Sequence, residues 1–373
     1  MPLRFREVAR TRARTSLRSR PLARLLPLLL LLACSHSDPF PSGTVDDGGP
    51  FTPGLPRLLT RNGGADQYPA WLRDGSAFLY SYQDTTERDF DRCLGLMRRD
   101  GGTRLLGKCL PGDQSHASTD ALLASAGSSA GRLAWLEATG PRTLSAPLNA
   151  SLRVGGAAAG VRGDSVLGFP YTAPNGALHV APLSLTWLGD SAIAYVGADQ
   201  FNIVDCVGCV MDTVPVGRQV MILHLTGAAP SLEPIPNTLD ATSLSASPDG
   251  SALYYTEAGQ PWILRRTLAT GAVDTVVSFA PAIVRDVSAA GDRLVAIVGG
   301  QVSYVNHPQY GDIQRDAGGP LFLVNLAGGT PTLLSAPGAT LRRPALSPDG
   351  TRIVVEEIHQ GGLAPDLYLY EVP

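Results

Sequence analysis

An all-β fold, a ring of six four-stranded blades, is what this 373-residue sequence predicts, and three observations predict it. The first is a repeated unit: a small or apolar lead-in, a tight turn built on Asp-Gly, then an apolar strand. The second is composition. With 41 glycines, 30 prolines and no long stretch of helical periodicity, the chain must make many turns and short strands. The third lies at the C-terminus, where the last unit runs out one strand short while an unclaimed strand stands near residue 57.

The repeat is plainest in YPAWLRDGSAFLYS from Tyr68, LSASPDGSALYYT from Leu244 and RPALSPDGTRIVVE from Arg343. Asp-Gly supplies the positive φ of a tight hairpin, and the alternation that follows describes a strand with one buried face. Weaker copies are SSAGRLAWLE around Gly131, LTWLGDSAIAYVG around Asp190 and VSAAGDRLVAIVG around Asp292. The turns therefore stand near residues 74, 131, 190, 249, 292 and 349, an average spacing of about 55, enough for four strands and their loops. Third and fourth strands follow in CLGLMRRDGGTRLLG, WILRRTLATGAVDTVV and LFLVNLAGGTPTLLS, the last turning at Gly328-Gly329.

The sixth unit ends at DLYLYEVP, its third strand. Pro56-Arg57-Leu58-Leu59-Thr60 is the candidate for the missing fourth, its RLLT echoing Arg104-Leu105-Leu106 in the first unit. A ring closed in this way has no exposed sheet edge left to aggregate. The expected architecture is a six-bladed β-propeller over residues 56–373, closed by its N-terminal strand. The PxWxxDG and SPDG units with DGGTRLL-type endings resemble the WD-like repeats of TolB-type propellers. TolB carries a further N-terminal α/β domain for which the segment before residue 56 leaves no room, so the resemblance extends to the propeller.

Ahead of the repeats, the first 24 residues hold eight arginines against one acid, Glu7. An apolar run, LLPLLLLLA at residues 25–33, follows; at 1.5 Å per residue it reaches roughly half-way across a bilayer core. A basic region, a short apolar region and a small residue describe a secretory signal. Leu31-Leu32-Ala33-Cys34 resembles the lipobox of bacterial lipoproteins. The resemblance implies cleavage before Cys34 and acylation of its thiol and new amino group, a multi-chain anchor at roughly 0.8 kcal/mol per buried methylene. Ser35 stands where a retention signal would place Asp, so the expected destination is the outer membrane. Residues 34–55 are rich in Ser, Asp, Gly and Pro and form the expected flexible tether.

Without residues 1–33 the chain has 22 basic and 32 acidic side chains, a net charge of about −10. Such a body lacks the basic footprint that phosphate backbones require, which argues against nucleic acid as a partner. The expected partners are membrane lipid through Cys34 and another envelope protein or peptide; a monomer and no cofactor are expected. Cys93, Cys109, Cys206 and Cys209 remain, an even number in an oxidising compartment. They are disulfide candidates; the local pairs 93–109 and 206–209 are the simplest of three connectivities.

Other motifs read as structural. Gly127-Ser128-Ser129-Ala130-Gly131 matches the G-x-S-x-G of hydrolases but falls in a hairpin turn with no helix after it. Cys206-Val207-Gly208-Cys209 lies in an insertion between strands, away from the helix N-terminus that activates a redox thiol. Glu87, Asp89 and Asp91 alternate on a loop edge without a calcium-loop signature. The histidines are scattered singly. A loop at residues 306–320 offers Tyr310, Asp312 and Arg315 as candidate binding contacts. The lead-in strands, ATSLSAS and RRPALS among them, are small and hydroxylic, with no visible catalytic cluster. The expected function is thus a non-catalytic binding scaffold, the alternative being a glycan lyase or hydrolase working in the central channel.

Overall fold

A computed structural model describes residues 55–60, 66–83, 92–99, 104–105, 123–124, 132–139, 149–156, 163–173, 176, 178–179, 181–204, 211–227, 229–300, 302–307, 311–316, 318–358 and 365–373. The chain divides into Met1–Asp38 and Pro39–Pro373, and every described residue belongs to the latter. All described regular structure is β-strand, and six four-stranded antiparallel sheets form the blades of a propeller.

Blade 1 comprises Gln67–Trp71, Ala77–Gln83, Arg92–Arg98 and Arg104–Leu105; blade 2 comprises Leu123–Ala124, Arg132–Thr139, Asn149–Gly156 and Asp164–Phe169. Blade 3 is Ala181–Leu188, Ala192–Val204, Met211–His224 and Ser231–Pro234, and blade 4 is Ala241–Ala246, Ala252–Glu257, Trp262–Thr267 and Val273–Ser278. Blade 5 is Val284–Ala290, Arg293–Val298, Leu321–Asn325 and Thr332–Leu333. Blade 6 is Leu341–Leu346, Arg352–Ile358, Pro365–Glu371 and, outermost, Arg57–Leu58 from the other end of the domain. Neighbouring first strands contact one another around the ring, which places them at the axis.

The closing strand is held as the sequence predicts. Arg57 pairs with Leu369 and Leu58 with Tyr368. The bonding continues through Leu59, whose N–H donates to the Leu367 carbonyl at 2.8 Å, and Thr60, whose hydroxyl accepts from the Leu367 N–H at 2.9 Å. Leu59 then enters a core shared by blade 1 (Trp71, Phe78, Tyr80, Met97) and blade 6 (Ala345, Val354, Leu367, Leu369). Among the described residues each boundary between blades has one such hydrophobic cluster.

The hairpin turns explain the SPDG signature. Asp249 Oδ1 accepts from the Ser251 N–H at 3.0 Å and the Ser247 hydroxyl at 2.6 Å, while Ser247 Oγ accepts from the Ala252 N–H at 2.9 Å. Gly250 between them has φ +70°, which a side chain would disfavour. Ser347, Asp349 and Thr351 repeat the arrangement in blade 6.

One expectation changes. The strands after the turns were expected to bury one face, yet residues 192–196, 252–255, 294–298 and 353–355 are buried at every position. Each blade is sandwiched between two others, so its second strand is covered on both faces and reads as a continuous apolar run. The segment expected as a loop at residues 306–320 is also largely strand. Val302–His307 and Gly311–Asp316 pair as a hairpin inserted between the second and third strands of blade 5.

Candidate functional site

The first strands of blades 1, 3, 4, 5 and 6 line a central cavity of about 400 Å³. Being the inner edge of its sheet, each first strand has backbone N–H groups without a ladder partner, and in blades 4, 5 and 6 side chains of the preceding blade's first strand satisfy them. Ser184 and Thr186 of blade 3 accept from the N–H of Leu244 and Ala246 at 3.2 and 3.3 Å. Ser243 and Ser245 of blade 4 accept from Val287 and Ala289 at 3.2 and 2.9 Å. In blade 5 the pair becomes Asp286 and Ser288, accepting from Arg343 and Leu346 at 2.9 and 3.0 Å. The hydroxylic lead-ins are therefore inter-blade couplings, and Asp286 replaces one hydroxyl with a carboxylate. A register irregularity precedes the first of each pair, between Pro182/Ser184, Ala241/Ser243 and Val284/Asp286. Bulges of this kind re-aim a side chain.

Blades 6 and 1 break the pattern together. Their first strands carry Arg343-Pro344-Ala345 and Tyr68-Pro69-Ala70, with Pro removing an N–H where the others must satisfy one. Arg343 and Tyr68 have φ of +48° and +56°, sparsely populated for bulky residues, and both fall within the bulges of their strands. The Arg343 guanidinium lies over the Tyr68 ring, 3.9 Å from its centroid. Beneath them, Glu356 from the second strand of blade 6 is fully buried. It accepts from Arg342 Nε at 2.6 Å, from Arg343 Nη1 at 3.2 and 3.0 Å, and from the Tyr68 N–H at 2.6 Å. The Trp71 indole N–H completes the junction by donating to the Ala345 carbonyl at 3.0 Å.

These charges are unevenly compensated. A buried carboxylate such as Glu356 is tolerated because two guanidinium groups and an N–H surround it. Burial pushes the Asp286 carboxyl above its ordinary value, and the Glu356 charge pushes the same way; the Arg343 N–H and the charges of Arg343 and Arg342 pull it back. The cavity thus has two walls of different character: Ser and Thr on blades 3 and 4, and Asp286, Arg343 and Tyr68 on blades 5, 6 and 1.

Cys34, Cys109, Cys206, Cys209 and Tyr310 lie outside the described residues, as do Gly127-Ser128-Ser129-Ala130-Gly131, Glu87, Asp89 and Asp91. Cys93 sits on the third strand of blade 1 opposite Tyr82. Asp312 and Arg315 lie on the inserted hairpin opposite Asn306 and Ser303. Residues 205–210, with the two cysteines, join the longest strands of the propeller, Ala192–Val204 and Met211–His224. Among the histidines, His224 reaches Glu233 at 2.9 Å; buried His179 bonds the Tyr171 hydroxyl at 2.9 Å, and that hydroxyl also bonds Tyr195. Among the described residues there is no group of three potential metal ligands and no helix long and apolar enough to cross a membrane.

Tyr68, Asp286, Arg343 and Glu356 are not among the residues that the sequence motifs single out. Their signal is present but faint: x-Pro-Ala shared by YPAW and RPAL, and an acid in VRDVSAA where the sister strands carry Ser or Thr.

No family model matches this chain, and no curated protein matches it. Solved structures do. A gluconolactonase from Xanthomonas campestris is 16% identical, with 88% of this chain and 91% of that one covered and a TM-score of 0.50. A luciferin-regenerating enzyme is 11% identical over 86% of this chain and 95% of its own, also at a TM-score of 0.50. A putative TolB from Agrobacterium tumefaciens is 13% identical over 85% and 94%, with a TM-score of 0.48. At such identities the likeness shows the fold alone. It is a six-bladed propeller, with TolB proteins and enzymes among the similar structures.

Proposed function

We propose that this protein is an exported lipoprotein, held on the bacterial outer membrane by acylated Cys34, whose propeller binds a protein or peptide partner without transforming it. The address rests on the basic region, the short apolar run and the lipobox-like Leu31-Leu32-Ala33-Cys34. The binding role rests on how the channel charges are used. Glu356 is engaged by Arg342, Arg343 and the Tyr68 N–H, and Asp286 accepts the Arg343 N–H, so both carboxylates serve as acceptors that join blades. A general base must instead be free to take a proton from substrate.

A second reading has one specific observation in its favour. Asp286 faces the cavity with its carboxyl raised above the ordinary range beside Arg343, an arrangement that acid–base enzymes use. The gluconolactonase and the luciferin-regenerating enzyme are named for catalysis on this fold.

Affinity capture with the detergent-solubilised lipoprotein, followed by incubation of the purified chain with glycans and lactones, separates the two. A stoichiometric partner without turnover is expected. Turnover that is abolished by Asp286→Asn would replace the scaffold reading with the enzymatic one.

A further inference from the structure

The hydrogen-bond direction of the channel hydroxyls carries information beyond their structural role. A hydroxyl has one proton to donate and two acceptor sites. Thr186, Ser243, Ser245 and Ser288 each spend an acceptor site on an N–H of the next blade. None of the four donates to a described residue, whereas Ser184 passes its proton to the Leu244 carbonyl at 3.4 Å. All four residues line the cavity, and among the described residues their four O–H groups have no acceptor.

Arg343 adds to this. Its Nη1 alone engages Glu356, its guanidinium face rests on Tyr68, and Nε and Nη2 donate to none of the described residues. The side chain retains 31% of its exposure, and the residue lines the same cavity. Nε and Nη2 form one complete edge of the planar fork, the edge that pairs bidentately with a carboxylate. Glu356 has already fixed the guanidinium orientation, so little further ordering is needed to use it.

We infer that the channel recognises a carboxylate, received on the free edge of Arg343, with the O–H donors of Ser288 beside it and of Ser243, Ser245 and Thr186 on the other wall left for further oxygens of the same ligand. This rests on the proposed binding role of the propeller and names the group its ligand presents. Among the described lining residues, Asp286 is the one carboxylate on that wall. Two sources could supply the carboxylate, a peptide C-terminus or a sugar acid, and both are tested.

The full chain, detergent-solubilised, is titrated calorimetrically with an N-acetylated tripeptide bearing a free C-terminal carboxylate, with its C-terminal amide, and with D-glucuronate and D-glucose. Either acid should bind, its neutral counterpart at least about tenfold more weakly. Which acid binds identifies the source. Arg343→Lys keeps a cation beside Glu356 but loses the fork, and should weaken the acid at least about tenfold in a chain that still unfolds in one cooperative thermal transition. Asp286→Asn keeps an acceptor for the Arg343 N–H and removes the opposing charge, so it should tighten binding several-fold; that gain cannot come from misfolding. Equal binding of acids and neutral counterparts, or weaker binding in Asp286→Asn, overturns the inference. A captured protein partner that survives Arg343→Lys leaves the scaffold reading standing and defeats this one; carboxylate binding with no such partner does the reverse.

Discussion

Arg343 and Tyr68, from the last and first blades of the ring, stack with the guanidinium carbon 3.9 Å from the ring centroid, and both have positive φ. Strained backbone persists where its surroundings over-determine it. Here the restraint is Glu356, which accepts from the Arg343 side chain and the Tyr68 N–H. Glu356→Gln removes the charge and leaves two guanidinium groups without their counter-ion. A loss of about 2 kcal/mol is expected, read as a lower urea midpoint. A change within 0.5 kcal/mol, the ordinary scatter of surface substitutions, would mean that the strain is held by other contacts.

Ring closure depends on a short segment. A chain beginning at residue 56 should fold like the full one, because the closing contacts start there. A chain beginning at residue 66 leaves blade 6 with three strands and uncovers the pocket of Leu59, which is 1% exposed in the closed ring. It should lose about 3 kcal/mol or more, with the raised aggregation that an unpaired edge brings. Equal stability of the two chains by chemical denaturation would show that closure needs no fourth strand.

Gly197 packs directly under His179, and a Cβ there would collide with the imidazole ring. The ring has no room to retreat, being fully buried and tied to Tyr171, which in turn bonds Tyr195. Gly197→Ala is therefore expected to cost about 2 kcal/mol. The double variant with His179→Ala should recover part of that loss, since the obstacle is gone.

Acid should act through the turns. The Ser247 hydroxyl first, then the Ser251 N–H and hydroxyl, bring the Asp249 carboxyl down to about 2. Asp349 is also held below its ordinary value: burial pushes it up but is outweighed by Ser347, Thr351 and the Arg99 charge. A carboxyl depressed in the folded state contributes stability that is present above its unfolded value near 3.8 and lost as pH falls through its folded value. The urea midpoint should therefore fall between about pH 4 and pH 2. The double variant Asp249→Asn, Asp349→Asn should show a shallower fall over that interval, and an unchanged slope would place the acid sensitivity elsewhere.

Cys34→Ser tests the proposed address. The substituted protein should leave the membrane fraction and remain folded, with the thermal transition of the lipidated form. Retention in washed membranes would show that something other than the lipid holds it.

The ring itself was legible in the sequence. Asp-Gly turns, apolar strands and a displaced terminal strand are local features whose spacing is set by the chain, so six units and their closure follow from reading along it. The small hydroxylic lead-ins were legible too, but not their purpose, because the N–H groups they satisfy belong to strands 44 to 60 residues further on. The channel cluster was invisible for the same reason on a larger scale. Tyr68, Asp286, Arg343 and Glu356 come from three blades, and only closing the ring sets the first blade beside the last. Which side chains become neighbours in a propeller is decided by the blades' packing around an axis, a relation that no spacing along the chain encodes.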